Sequence, residues 1–124
     1  MALAAEYGPA VRIWLEPGRR KLRRRGLPVT DRRFLDSFAP DIDGKPARYA
    51  ELLRTLPTGL GEWAVHPGLG NEEAQAIEPD GWRVRRTDDE FLVPPEARAI
   101  LREEGIVVID YRPLQEKWAL AAAE

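Results

Sequence analysis

The chain has no cysteine and a single histidine, His66, among its 124 residues. The first absence excludes a disulfide framework and any thiolate metal site, and it gives export to an oxidising compartment no support. The second means that a metal centre built by this chain unaided would need carboxylates for nearly all of its ligands, whereas hydrolytic sites converge two or three histidines or carboxylates. Long apolar runs are missing as well. The opening Met1-Ala2-Leu3-Ala4-Ala5 is interrupted by Glu6, carries no basic flank and is too short for a signal peptide or a membrane span. These features predict a cytoplasmic protein with no membrane partner. At 124 residues the chain is one domain's worth, too short for a complete eight-unit barrel of about 250 residues.

What is present is a globular composition, with 44% hydrophobic and 32% charged residues. The net charge of −2 is unevenly spread: residues 1 to 40 hold nine basic and four acidic side chains, residues 41 to 124 ten and seventeen. Much of the asymmetry comes from Arg19, Arg20, Lys21, Arg23, Arg24 and Arg25. Such a run can meet nucleic acid or an acidic surface. Without interleaved aromatics or a groove-reading motif, a solvated helix face with Leu22 as its one apolar residue is expected instead.

Hydrophobic spacing and breakers organise the chain. The residues up to Tyr7 favour a helix that Gly8-Pro9 stops, and Val11 to Leu15 is expected as a strand. Pro17 suits the first turn of a helix through the basic run, ended by Gly26 and Pro28. A short extended piece is expected around Phe34 to Phe38. Ala47, Ala50, Leu52, Leu53 and Leu56 predict an amphipathic helix before Pro57, and Glu62 to His66 predict a strand. Beyond a loop with one helical turn, Trp82, Val84, Arg85, Asp88, Phe91 and Leu92 fit a second amphipathic helix. Glu96 to Glu104 fit a third, capped by Gly105. The apolar run Ile106-Val107-Val108-Ile109 suits a strand buried on both faces. This alternation predicts an α/β fold with mostly parallel strands joined by crossover helices.

Chemistry centres on His66. A residue before proline is steered to extended geometry, so His66 is expected at the end of its strand with Gly68 opening a turn. Strand carboxyl ends form the functional face of parallel α/β folds. There His66 could donate a proton, bind a metal or stabilise an anion, or it could simply cap its own loop. Asp88-Asp89-Glu90 is the densest acidic cluster; it falls inside a helix, where Arg85 and Asp88 are spaced to pair on one face. Asp41 and Asp43 faintly suggest a calcium loop, but the remaining ligand positions are missing. Of the tryptophans, Trp14 and Trp63 are expected in the core, and Trp82, beside Gly81, is the candidate for a ligand contact.

The segment Glu62-Trp63-Ala64-Val65-His66-Pro67-Gly68, a later Arg-rich helix, Pro95-Glu96 and Glu104-Gly105-Ile106-Val107-Val108-Ile109-Asp110-Tyr111 together resemble the C-terminal region of the YdjC-like carbohydrate deacetylases. Upstream, Tyr7-Gly8-Pro9-Ala10-Val11-Arg12 resembles the family's strand bearing arginine. The resemblance implies a partial (β/α) barrel of the distorted deacetylase type and hydrolysis of the acetamide of an N-acetylated sugar. It implies a divalent metal, Mg or Zn, held by an aspartate and two histidines that have no counterparts in this chain. It also implies His66 and Arg12 as active-site residues, the former near the leaving group or oxyanion and the latter orienting a carboxylate. Trp82 remains the substrate-contact candidate. On this reading the chain is inactive alone and needs a complementing N-terminal portion; a non-catalytic binding or self-assembling module is the alternative.

Overall fold

The computed structural model describes residues 10–122. Their elements run α1 (Glu16–Arg23), β1 (Leu35–Asp36), α2 (Lys45–Arg54), β2 (Trp63–Ala64), α3 (Glu72–Ile77), α4 (Trp82–Leu92), α5 (Pro95–Glu103) and α6 (Arg112–Ala122). The chain divides into two compact units. The first takes the residues up to Phe34, Gly59–Glu62 and those from Val108 onward, and the second takes Leu35–Thr58 and Trp63–Val107.

In the first unit, α1 starts with Pro17 in its opening turn and Glu16 ahead of it, and ends with Arg20, Lys21 and Arg23. This is the charge order that the helix dipole favours. Glu16 gathers Arg19, Arg20 and Arg23 around one carboxylate. The basic run is therefore not wholly a solvated face. Arg19 is 5% exposed, beside Leu22 at 2%, and its guanidinium donates to the Arg32 carbonyl. From α6, the Trp118 indole donates to the Pro28 carbonyl at 2.8 Å.

The second unit is built by helices. Tyr49, Ala50 and Leu53 of α2 pack with Phe91 of α4 and with Ala97 and Ile100 of α5, and Leu56, Trp63, Leu92, Leu101 and Ile106 border this core. These are the inward positions of the helical spacings. At the end of α5, the N–H of Ile106 donates to the Leu101 carbonyl at 2.8 Å and that of Gly105 to the Arg102 carbonyl. Gly105, at φ 64°, thus closes a Schellman turn in the left-handed conformation that suits glycine. The strands pair in parallel, Leu35 opposite Trp63 and Asp36 opposite Ala64, and the Ser37 N–H extends the pairing to the Ala64 carbonyl at 3.1 Å.

The expected α/β fold, a partial barrel with mostly parallel strands, is not what forms. The described residues hold six helices and one two-stranded parallel sheet. Val11 to Leu15 makes no strand, and neither does Ile106 to Ile109. Val107, Val108 and Ile109 are 81%, 75% and 47% exposed, the opposite of a strand buried on both faces. A strand exists only where a neighbour satisfies its backbone groups, and these segments have no such neighbour among the described residues. The helix expected up to Tyr7 lies outside the described residues. No described helix is long and apolar enough to cross a membrane.

Candidate functional site

Asp88 lies on α4 between Val84 and Phe91, on the face that the helix buries. An ionised carboxylate there is costly unless its lone pairs are filled. Four residues converge on it. Lys45 Nζ reaches Oδ1 at 2.9 Å, with both side chains fully buried, and the Tyr49 hydroxyl donates to the same oxygen at 2.7 Å. The His66 backbone N–H donates to Oδ2 at 2.8 Å. Ser37 Oγ is fully buried without a hydrogen-bond partner of its own, yet its side chain also favours the ionised form of Asp88. Burial alone would raise the Asp88 pKa, but the His66 N–H, Lys45, Ser37 and Tyr49 outweigh it and hold the carboxyl below its ordinary range. Burial, reinforced by Asp88, pushes the Tyr49 phenol far upward, so it remains a donor.

Lys45 is oddly placed for a helix. It opens α2, where a cation opposes the dipole, and its side chain turns inward to donate to the Val84 carbonyl at 3.3 Å as well as to Asp88. The expected pairing of Arg85 with Asp88 is not made: Arg85 pairs with Glu78 instead. Sequence spacing held a signal for the true arrangement. Asp88 shares the apolar face with Val84 and Phe91, so it demanded a partner from another element.

His66 lies two residues beyond the end of β2. The residue is half-buried, its backbone tied to Asp88, and its ring meets Phe38 edge-on, centroids 5.3 Å apart at 73°. The Arg85 guanidinium approaches Phe38 to 5.7 Å from the ring centroid. Trp82, half-buried at the start of α4, has the Arg83 guanidinium 5.3 Å from its centroid. A Cβ on Gly70 would come within 3.1 Å of the Trp82 ring, so the indole lies close against that backbone.

Arg12 belongs to the first unit, whereas His66 and Trp82 belong to the second. The Arg12 guanidinium pairs with Glu62, a carboxylate of its own unit. Burial and then Glu62 push the Tyr111 phenol up to about 12, with Arg12 pulling weakly the other way. Arg12 also lies 4.7 Å from the Trp14 ring centroid and 4.9 Å from that of Phe34. Trp14 is no core residue: it is 55% exposed. Trp63 does join the core border, with the Tyr49 ring edge-on at 4.6 Å.

The donor sets do not suit the divalent metal that the resemblance implies. Among the described residues no three His, Asp or Glu side chains converge. Both oxygens of Asp88, the carboxylate tied to His66, are already engaged by Lys45, Tyr49 and the His66 N–H. No family model matches this chain, and no curated protein matches it closely enough to carry an assignment.

Proposed function

We propose that this chain supplies the histidine-bearing part of a carbohydrate N-deacetylase, which hydrolyses the acetamide of an N-acetylated sugar to acetate and a free amine. The observation that carries the reading is the anchorage of His66. Its backbone is fixed by a buried, ionised Asp88 while the residue itself is only half-buried. A proton donor needs that combination of fixed position and access. The imidazolium gives its proton to the departing amine nitrogen as the C–N bond breaks. The resemblance of Glu62 to Gly68 and Glu104 to Tyr111 to the YdjC-like pattern supports the substrate class. The metal donors of such an enzyme come from residues other than those described here.

The test uses the single histidine. Adding N,N'-diacetylchitobiose to the isotopically labelled chain shifts the His66 ring resonances; a ring unmoved at millimolar sugar refutes the reading. The purified chain is expected to release no acetate from that sugar with Mg or Zn present. Release that a chelator abolishes would contradict the assignment of the metal donors elsewhere.

A second reading, an assembly module, draws on the exposure of Val107 and Val108 at 81% and 75%. Adjacent exposed apolar residues in a segment outside any helix or strand invite another chain.

A further inference from the structure

The first unit carries an aromatic surface that neither His66 nor the buried ion pair uses. Trp14 stacks on Phe34 with centroids 4.9 Å apart and planes 17° from parallel. The Arg12 guanidinium is 4.7 Å from the Trp14 centroid and 4.9 Å from that of Phe34. Three nearly equal separations make a triangle, which sets the guanidinium beside the stack. A cation capping the outer face of Trp14 would lie about twice as far from Phe34 as from Trp14. Neither partner therefore covers that outer face, in keeping with the 55% exposure of the residue.

At the edge of the stack stands a fixed polar pair. Arg12 is paired with Glu62, whose side chain is only 16% exposed. Next to them a cavity of about 20 Å³ is lined by Arg12, Thr30, Glu62, Tyr111 and Trp118 among others. It admits one water or one hydroxyl-sized group.

We propose that the outer face of Trp14 and the Arg12–Glu62 pair form a subsite for a single pyranose ring. The apolar C–H face of a sugar lies on the indole, as apolar groups do on exposed aromatic rings. Its hydroxyls accept from the Arg12 N–H groups and donate to the Glu62 carboxylate, a match for groups that both give and take hydrogen bonds. One hydroxyl enters the cavity. A nucleotide would also stack, but its phosphate needs an uncompensated cation, and Glu62 neutralises Arg12. The inference rests on the carbohydrate reading above and adds the residues that hold one ring.

Calorimetric titration with N,N'-diacetylchitobiose tests it. Trp14→Ala weakens binding about tenfold, the size of one stacking contact. Trp14→Phe, which keeps a ring on Phe34, loses less than Trp14→Ala and gives the answer should the alanine variant lose its fold. Unchanged affinity in a folded Trp14→Ala, or a loss confined to Trp82→Ala, rejects the subsite and leaves the carbohydrate reading standing. No binding to the unaltered chain rejects both. Tighter binding of oligothymidylate than of the sugar, abolished in Trp14→Ala, rejects the sugar as occupant.

Discussion

Lys45 and Asp88 meet at 2.9 Å with both side chains wholly withdrawn from water. They join the start of α2 to the middle of α4, and the His66 backbone hangs from the same carboxylate. Removing one partner of such a pair leaves the other charge buried without compensation. Asp88→Asn is expected to cost about 3–5 kcal/mol, a large share of the total for a small domain. Urea denaturation checks this, and a loss under about 1 kcal/mol would mean that Lys45 relaxes to solvent.

The same carboxylate makes acid stability predictable. Its folded pKa lies below the ordinary 3.8, so between the two values the unfolded chain binds the extra proton. Its contribution is complete above the ordinary value and disappears as pH falls through the folded one. The urea midpoint, followed from about pH 5 to about pH 2, should fall more steeply for the unaltered chain than for Asp88→Asn.

Asp88 holds the main chain of His66, not its ring. His66→Ala keeps the donor and loses only the edge contact with Phe38, so stability should change by no more than about 1.5 kcal/mol. His66→Pro deletes the N–H and strands one carboxylate oxygen, which should cost about 1–3 kcal/mol more. Equal denaturation midpoints for the two variants would sever the proposed link between Asp88 and His66.

Gly70 has φ 64°, and a Cβ there would approach Trp82 to 3.1 Å and Arg86 Cδ to 3.2 Å. Gly70→Ala carries the backbone penalty of about 1–2 kcal/mol together with displacement of the indole. Thermal unfolding should show the loss, and Trp82→Ala in the same chain should return part of it.

Val107 and Val108 project into solvent at 81% and 75%. Replacing both with lysine should suppress association at micromolar concentration without lowering the melting temperature. Identical light scattering from the two proteins would remove the support for an assembly role.

Helices were legible in the sequence where spacing and punctuation agreed. Pro17 opened α1, Ala50 and Leu53 marked the inner side of α2, and Gly105 closed α5. That the apolar runs would form no barrel was not legible, because strand identity depends on a partner that a local pattern does not contain. Ile106 to Ile109 offered an apolar run and no periodicity, and such a run does not reveal what covers it. Trp14 was misplaced for a related reason: its strand did not form, so its indole had no sheet to pack beneath. Arg85 and Asp88 met the helical spacing rule, yet the rule ignored the side of α4 on which Asp88 lies. The His66 anchor was half visible. Pro67 announced extended geometry, but the acceptor of the His66 N–H came from Asp88 on another element.

The Lys45–Asp88 contact also sets an order of events during translation. When α2 leaves the ribosome, its first residue carries a charge destined for the interior, and Asp88, the anion paired with it there, has not yet been made. Docking that lysine early would strand it in a dry environment. Nascent α2 is therefore expected to keep Lys45 in water until α4 emerges.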